Sequence, residues 1–435
     1  MVAESGSTHK IIFAPLLRML QHARFMPVCF VAFVVIRLAL LLLVPTAAPF
    51  SDAGWYLSRA MTLVEQGSYS ERGILTAYWP VGYPAFLALL FKVTGPSILA
   101  AQLANLALAA ASFWLLYFAV RNFLGDELAA RGAVLLLAIY PNNAAYVPVL
   151  LTETLFTFLL LAACCCLLAR RHWLHAVIAG VAFGLATLVK TQTILLVPLL
   201  AFLAFLDDWT IRNAARAVIR AVAVVAIAVV VVMPWAVRNY HIFGAPLLST
   251  NGGTSLLASN NPSVAGDYSR DYSDNDPLYA QARFSVEDQA NADKRARALA
   301  IGWIKDHPGQ FAGLMPKKVF RLWAPDGEAE WFFQDTPFYE QHRVWFRFVR
   351  IANQAFYAMT LLLFPLALWK LAATRAAPPA CLGVAVVLVI TLISMVFSGQ
   401  SRYHFPAMPF IFAYAAWIVT GFAARRAPAR DGVRD

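Results

Sequence analysis

The sequence predicts an all-α, polytopic integral membrane protein with about ten transmembrane helices, interfacial helices in the first outer loop and a small mixed periplasmic domain. Of its 435 residues, 60% are hydrophobic and only 14% are charged, whereas soluble domains average roughly 45–50% apolar and about 25% charged residues. The apolar residues form runs close to the ~20 residues that a helix needs to cross a bilayer. The formal charge of +11 lies in short loops between these runs, so it indicates membrane topology and no nucleic-acid partner.

Ten apolar runs separated by charged breaks predict the spans. The first is expected to be a retained helix, because it is longer than the apolar core of a signal peptide. If the N-terminus is cytoplasmic, every inner loop is basic, as the positive-inside rule requires, so both termini are expected in the cytoplasm. The ten runs are 26–48, 97–120, 130–148, 150–169, 173–189, 191–206, 217–237, 347–369, 378–397 and 404–423. The basic residues of the inner loops are Arg121, Arg131, Arg170, Arg171, Arg212, Arg216, Arg220, Lys370, Arg375, Arg425, Arg426 and Arg430.

Two longer segments fall on the outer side in this topology. The first, 49–96, contains an apolar stretch at 83–91 that is too short to span and is typical of an interfacial helix. The second, 238–345, is polar, with turn signals around residues 251–253 and 260–262 and a helical pattern over 278–306. We therefore divide the chain into an N-terminal transmembrane module, an outer domain and C-terminal transmembrane helices with a basic tail, at 1–237, 238–345 and 346–435.

Ionisable residues recur where the predicted spans reach the outer side. Asp52 follows the first span and Glu153 begins the fourth, Lys190 and Arg238 end the fifth and seventh, and Arg402 precedes the last. Charged groups at membrane depth are costly and are usually functional. We expect these five side chains to converge on one site.

Short motifs around these residues carry a family resemblance. In chain order, they resemble the GT-C glycosyltransferases of family 39, the branch that contains the protein O-mannosyltransferases and the lipid A aminoarabinose transferase. The resemblance covers most of the chain. The motifs are Ser51-Asp52-Ala53-Gly54-Trp55-Tyr56, Tyr78-Trp79-Pro80-Val81-Gly82-Tyr83-Pro84, Leu151-Thr152-Glu153, Pro234-Trp235-Ala236-Val237-Arg238-Asn239-Tyr240, Thr250-Asn251-Gly252-Gly253 and Ser401-Arg402-Tyr403.

The resemblance implies transfer of a sugar from a polyprenyl-phosphate-linked donor to an acceptor on the outer face. An acceptor hydroxyl must lose its proton as it attacks, and a carboxylate can take it. Asp52 is the expected base, with inversion at the anomeric carbon. The alternative is that Asp52 only caps a helix beginning at Ala53.

The leaving phosphate calls for cations that stabilise its growing charge. Arg402 and Arg238 are the first candidates, since Arg grips phosphate with paired hydrogen bonds, and Lys190 is the third. The alternatives are a headgroup anchor for Arg238 and a lysine that extends to the interface for Lys190. Tyr403 and Asn251 belong to the matching motifs and are expected to bind substrate.

Glu153 is expected to orient the acceptor, share a metal or tune Asp52, although an interfacial carboxylate facing water is an alternative. Aromatic residues of the first loop are expected to shape the sugar or isoprenoid pocket, namely Tyr56, Trp79 and Tyr83. Trp79 also marks a departure, because many family members carry a basic residue there. Either the phosphate is held elsewhere or the donor differs.

The sequence names no cofactor, and the use of a divalent metal stays open. The first loop has no Asp-x-Asp pair, and the outer histidines, His241, His307, His342 and His404, lack ligand spacing, so we expect ordinary surface or interface histidines. An acidic run lacks the spacing of a calcium loop and is expected to be solvated; it comprises Asp267, Asp271, Asp274 and Asp276.

Two rival functions remain at this stage. A transporter or flippase for a polyprenyl-linked or envelope lipid would also use intramembrane charges, but the sequence shows no internal repeat. An envelope acyltransferase or ligase would need a catalytic histidine, for which His404 is the one placed candidate. The favoured interpretation is a glycosyltransferase of a bacterial inner membrane with its site facing the periplasm. The donor sugar and the acceptor, whether lipid, glycan or protein, are not given by the sequence.

Overall fold

A computed structural model describes residues 14–169, 173–266 and 277–426, and these residues are mostly helical. The helices of the first part are α1 Phe25–Leu43, α2 Ser51–Glu65, α3 Gly82–Thr94, α4 Ile98–Leu124, α5 Glu127–Ile139, α6 Pro141–Tyr146, α7 Thr152–Ala169, α8 Trp173–Val189, α9 Thr193–Phe205 and α10 Ile211–Phe243. Those of the second part are α11 Gly252–Ser259, α12 Pro277–Ala280, α13 Gln289–Asp306, α14 Pro308–Leu322, α15 Pro337–Gln341, α16 Arg343–Ala373, α17 Leu382–Val396 and α18 Met408–Arg426. Short 3₁₀ turns cover Glu328–Phe333, Pro378–Cys381 and Ser401–Ala407.

The chain is a multi-pass membrane protein. Among the described residues, seven helical stretches are long and apolar enough to cross a bilayer, and they correspond to seven of the ten predicted spans. The other three predicted spans are shorter helices, with α8 having 17 residues and α5 and α9 having 13 each. The total of ten crossings therefore stays a prediction.

The predicted span 130–148 is wrong as one continuous helix. The helix α5 ends at Ile139, Tyr140 is extended with φ −72° and ψ 109°, and α6 begins with Pro141. Proline disfavours a helical residue before it and has no amide hydrogen to continue the helix. The break places α6 and the start of α7 beside the candidate site described below.

The bundle is built from helices that pack side by side. The last helix, α18, packs on α5 and α16, and α8 packs between α7 and α10. The order of the spans predicts that the inner loops, including Arg121 and Lys370, lie at one end and the five ionisable residues at the other. We call the second end the site end, where α1, α8 and α10 finish and α4, α7, α16 and α18 start.

One charged side chain inside the first span was not singled out from the sequence. Arg37 is fully buried in α1. It donates to the carbonyls of Leu137 and Ala138 at the end of α5 at 2.8 and 3.2 Å, and to Asn143 Oδ1 at 2.7 Å. The last carbonyls of a helix lack partners within the helix, so this cation satisfies them and fastens α1 to the break after α5.

The first outer loop folds onto the site end as two helices and a hairpin, which confirms its predicted helices. Between α2 and α3, the strands β1, Ser70–Glu71, and β2, Ile74–Leu75, pair antiparallel. Close packing of α3 on α8 depends on Gly82, where a Cβ would lie 2.6 Å from the backbone carbonyl of Leu188. This contact sets the position of the chain just before Lys190.

The outer segment differs from the sequence prediction in two respects. A small mixed domain was predicted, but the described part of the outer segment is helical. The two described strands lie in the first outer loop. Residues 251–253, predicted as a turn, lead directly into α11, whose first amides, Gly253 N–H and Thr254 N–H, donate to Asp293 Oδ1 at 2.5 and 3.1 Å. A carboxylate from α13 thus satisfies the free amides of this helix start. The predicted helix over 278–306 is confirmed for α12 and α13.

The outer segment is bonded to the first loop through one glutamine. Gln289 is buried, and its Oε1 accepts from the hydroxyl of Thr76 and the amide of Ala77, both at 3.0 Å. The same oxygen accepts from the hydroxyl of Thr250 at 2.9 Å. This oxygen joins the hairpin loop to the segment that carries Asn251.

We expect Gly82→Ala to destabilise the protein, by about 1–3 kcal/mol, since the added methyl group overlaps backbone atoms of α8 that cannot move aside cheaply. The matched control is Gly313→Ala in α14, where nothing lies within 4 Å of the added carbon and alanine favours the helix. Thermal unfolding of both variants in detergent measures the difference. An unfolding temperature of Gly82→Ala equal to that of the control would show that the contact does not constrain α3.

Candidate active site

Asp52 lies in the first turn of α2 and pairs with Arg402. The distance from Asp52 Oδ2 to Arg402 Nη1 is 2.7 Å, and the two side chains are 21% and 18% exposed. The helix begins at Ser51, and its N-cap, Phe50, makes no side-chain capping bond. The capping alternative, with a helix starting at Ala53, is therefore wrong.

The backbone around Asp52 is held in an unusual shape. Ser51 has φ of +52°, a left-handed conformation that costs a serine free energy and is enriched at functional sites. A Cβ on Gly54 would lie 2.8 Å from the carbonyl oxygen of Pro49. The turn therefore needs glycine at this position, and its conformation fixes the direction of the Asp52 side chain.

A second ion pair lies deeper at the same end. Lys190 Nζ donates to Oε1 of Glu153, at the start of α7, at 3.0 Å. The side chains of Glu153 and Lys190 are 2% and 12% exposed. The other carboxylate oxygen of Glu153 accepts from the hydroxyl of Thr152 at 3.2 Å. The Lys190 ammonium also lies 5.6 Å from the ring centroid of Tyr403, within the range of a cation–π contact. Glu153 is thus buried and partnered, which excludes the alternative of a carboxylate facing water.

The two ion pairs form one polar cluster, which we call the site cluster: Asp52, Glu153, Lys190 and Arg402. Arg402 interacts electrostatically with Glu153 as well as with Asp52. Tyr56 lies beside the site cluster and packs edge-on against Tyr83, with 5.5 Å between ring centroids. Burial first, and then the negative charge of Asp52, raise the pKa of Tyr56 well above its ordinary value, so its hydroxyl stays protonated.

A carboxylate missed from the sequence anchors the segment that carries Arg402. Glu328 Oε2 accepts from the hydroxyl of Ser401 at 2.8 Å and from the amide of Arg402 at 3.0 Å. Three acidic residues within five positions, at 326, 328 and 330, were the available signal. A charge-assisted bond to a backbone amide is strong, so Glu328 fixes the position from which Arg402 reaches Asp52.

The turn behind Arg402 is fixed by a buried histidine. His404 Nδ1 lies 2.7 Å from the carbonyl oxygen of Leu322, and Nε2 lies 3.0 Å from Asp326 Oδ1. Both ring nitrogens therefore face oxygen atoms of the surrounding protein. The ring is fully buried between Trp323 and Tyr357, with centroids 5.6 and 5.0 Å away. The expectation of a surface or interface histidine is wrong for His404, and a ring so enclosed is unavailable to an acyl substrate.

Asp326 is the hub of this support. Its carboxylate accepts from Tyr140, Asn142 and Asn353 at 2.7, 2.5 and 3.0 Å, in addition to His404. Burial alone would raise the pKa of Asp326, but the bonds and charge of His404, with the bonds from Tyr140 and Asn353, hold this pKa below its ordinary value. The hub connects the break after α5 to the turn that carries Arg402.

Arg238 lies outside the site cluster. Its guanidinium donates to the carbonyls of Thr76 at 2.8 Å and Tyr69 at 3.0 Å, so it holds the hairpin loop. The side chain also lies over Trp235, 4.5 Å from the ring centroid. The predicted convergence therefore holds for four of the five ionisable residues.

The remaining candidates surround the first loop. The carbonyl of Trp79 accepts from the hydroxyl of Tyr69 at 3.1 Å, and its ring packs on Tyr78, with centroids 5.3 Å apart. Asn251 is buried at the start of α11. Within the described residues, no three His, Cys, Asp or Glu side chains gather as metal ligands. The acidic run at Asp267, Asp271, Asp274 and Asp276 lies outside the described residues, as do Arg170, Arg171 and Arg430.

Part of the chain matches a known protein family, and the fold is similar to that of solved structures. Residues 79–237 match the family model described as dolichyl-phosphate-mannose-protein mannosyltransferase. No curated protein sequence matches the chain. The chain is similar in structure to the Archaeoglobus fulgidus oligosaccharyltransferase AglB in complex with an inhibitory peptide and a dolichol-phosphate, with 16% identity, a TM-score of 0.54 and coverage of 94% of this chain and 52% of that chain.

Two further structures are similar. The Archaeoglobus fulgidus oligosaccharyltransferase in complex with Zn and sulfate matches with 14% identity, a TM-score of 0.55 and coverage of 92% of this chain and 50% of that chain. ArnT from Cupriavidus metallidurans bound to undecaprenyl phosphate gives 15% identity, a TM-score of 0.44 and coverage of 92% and 79%. The chain thus spans about half the length of the oligosaccharyltransferase. The family match over residues 79–237 confirms the resemblance predicted from the motifs, and the chain shares the fold of the oligosaccharyltransferase.

Because the folded pKa of Asp326 lies below its unfolded value, its contribution to stability is present above about pH 4 and is lost as the pH falls through the folded pKa. We expect Asp326→Asn to destabilise the protein at pH 7, by about 3–5 kcal/mol, since His404 then lacks its charge partner. We also expect a smaller loss of stability below pH 4 than in the wild type. Unfolding temperatures between pH 7 and 3 test this, with the exposed Glu340→Gln as control. If the unfolding temperature of Asp326→Asn falls between pH 7 and 3 as much as that of the wild type, the prediction is wrong.

Proposed function

We propose that the protein is a membrane glycosyltransferase that moves a sugar from a polyprenyl-phosphate-linked donor to an acceptor on the periplasmic face of a bacterial inner membrane. The observation that carries this proposal is the 2.7 Å contact between Asp52 and Arg402. Sugar transfer from a lipid phosphate needs a base and a cation that binds the phosphate. This contact brings one of each together, and both side chains are partly exposed. The GT-C fold and the family match over residues 79–237 support the same reaction.

Asp52 serves as general base in the proposed reaction. The acceptor hydroxyl attacks the anomeric carbon while its proton passes to the carboxylate, and the bond from that carbon to the phosphate oxygen breaks. Attack and departure on opposite faces invert the configuration at the carbon. The 21% exposure of Asp52 supports this role, because an acceptor can reach the carboxylate.

Arg402 serves the leaving phosphate. Without ligand, the Arg402 guanidinium is paired with the Asp52 carboxylate. A donor phosphate competes with Asp52 for the guanidinium, and Arg suits this exchange because it can hold two oxygens at once. Donor binding would therefore release Asp52 when the base is needed. The phosphate charge that grows as the bond breaks is then stabilised by a cation already in place.

The second ion pair plays a supporting part. Glu153 and Lys190 are nearly buried and bonded to each other, so we propose that they orient the acceptor and keep the local charge balanced. Tyr56, Tyr83 and Tyr403 form the aromatic wall beside the sugar. The first loop and its junction with the outer segment are shaped by Arg238, Trp79 and Asn251. Arg238 can reach a phosphate only if its bonds to the carbonyls of Tyr69 and Thr76 break.

The proposed orientation follows from the charges of the bundle. The order of the spans predicts that the basic loops, including Arg121, Arg216 and Arg375, lie at the end opposite the site cluster. The positive-inside rule assigns that end to the cytoplasm. Both termini would then be cytoplasmic and the site periplasmic. The acceptor is a lipid, glycan or protein carrying a free hydroxyl or similar nucleophile.

We expect Asp52→Asn to lower the rate of transfer by about 10²–10⁴-fold, the usual contribution of a general base. Envelope lipids, glycans and glycoproteins would be compared by mass spectrometry in wild type, a deletion, and the deletion carrying Asp52→Asn or the exposed control Asp335→Asn at equal protein levels. One glycoform should vanish in the deletion and return only with the control. Full restoration by Asp52→Asn would remove the base role and favour a lipid carrier.

We expect Arg402→Lys to raise the KM for the donor about tenfold or more and to lower kcat, since lysine keeps the charge but loses the paired geometry of guanidinium. The exposed control Arg347→Lys should leave both constants unchanged. Steady-state kinetics in nanodiscs, with the donor identified by the mass spectra, separate the two constants. Wild-type constants in Arg402→Lys would place the phosphate elsewhere.

A further inference from the structure

A buried tyrosine next to the site cluster has a free hydroxyl. Tyr146 ends α6 and is 1% exposed. Among the described residues, its hydroxyl oxygen has no hydrogen-bond partner. The ring packs against Phe405, with 4.4 Å between centroids, and so is fixed by the same turn that carries Arg402. The hydroxyl is therefore held in place by packing and not by a bond of its own.

The charged groups that act on this hydroxyl belong to the site. They are Glu153 and Arg402 of the site cluster and the supporting carboxylates Glu328 and Asp326. The carboxylates are already occupied: Glu153 by Lys190 and Thr152, and Glu328 by Ser401 and the amide of Arg402. No described residue accepts from the Tyr146 hydroxyl, so a molecule that enters the site can supply the acceptor.

Burial without a partner is a cost that native proteins generally avoid. Buried tyrosine hydroxyls usually find a hydrogen-bond partner, and an exception calls for an explanation. An ordinary tyrosine hydroxyl has a pKa of about 10. The hydroxyl stays protonated, so it can donate one hydrogen bond in a site where Arg402 attracts anions.

We propose that Tyr146 is a substrate-binding residue whose hydroxyl donates to a phosphoryl oxygen of the lipid-linked donor, beside Arg402. This inference rests on the proposed function and adds a residue that the motifs did not include. The bond forms when the phosphate displaces Asp52 from Arg402. Tyr146 and Arg402 then hold the phosphate from two directions, one through a neutral donor and the other through a charged one.

The test is Tyr146→Phe in the full-length protein in nanodiscs, with undecaprenyl phosphate as the probe. We expect about tenfold weaker binding, the usual effect of losing one hydrogen bond to a charged group. The unfolding temperature without ligand should be unchanged or higher, because phenylalanine removes a buried hydroxyl that has no partner. A purely structural tyrosine would not combine weaker binding with retained stability.

The matched control is Tyr414→Phe. The hydroxyl of Tyr414 is also buried, but it donates to the carbonyl of Ala380 at 2.7 Å and accepts from the amide of Val384 at 3.1 Å, away from the site end. This variant should lower the unfolding temperature and leave the affinity unchanged. The two substitutions are chemically identical, so opposite effects would be due to location alone.

Three outcomes separate the inference from the proposed function. If the wild type binds undecaprenyl phosphate and Tyr146→Phe binds it equally well, the inference is wrong and the proposed function stands. If the wild type does not bind the probe, the proposed donor is wrong and the inference falls with it. If Tyr146→Phe lowers the unfolding temperature as Tyr414→Phe does, the hydroxyl has a structural partner and the inference is also wrong.

Discussion

The ion pair between Asp52 and Arg402 joins segments that lie 350 positions apart in the sequence. Its geometry depends on supports on both sides. On one side, Gly54 allows the sharp turn before Asp52. On the other, Glu328 holds the amide of Arg402, and the buried Asp326 and His404 fix the turn behind it. Much of the site end therefore serves to bring one carboxylate and one guanidinium together.

Two buried cations elsewhere in the protein differ from the pair of Asp52 and Arg402 in their access to a ligand. Arg37 is fully buried and bonded to backbone carbonyls. Lys318 is also fully buried, and donates to Asn260 Oδ1 at 2.6 Å and to the carbonyl of Val396 at 3.1 Å; burial lowers the pKa of Lys318 to about 8. These cations satisfy fixed protein groups and have no access to a ligand. Asp52 and Arg402 are partly exposed, so a substrate can exchange with either partner.

The site carries free-energy costs that the unliganded protein does not recover. Ser51 adopts a left-handed conformation, and the Tyr146 hydroxyl is buried without a partner. Such costs are tolerated where surrounding structure imposes them and where a ligand offsets them. Here the helical packing and the bonded hub at Asp326 impose them. Under the proposed function, the interactions made by a bound anionic lipid offset these costs.

The sequence by itself determined the membrane class, most of the spans and four members of the site, because hydrophobic length and intramembrane charge are local properties that the bilayer constrains. It also determined the family resemblance, since short motifs keep their order. Only the tertiary structure decided which charge meets which. Arg238, at a span end like Lys190, bonds the hairpin loop because helix α10 carries it there. The break at Tyr140, the anchoring role of Glu328 and the free hydroxyl of Tyr146 depend on contacts between distant segments, which no local pattern in the sequence records.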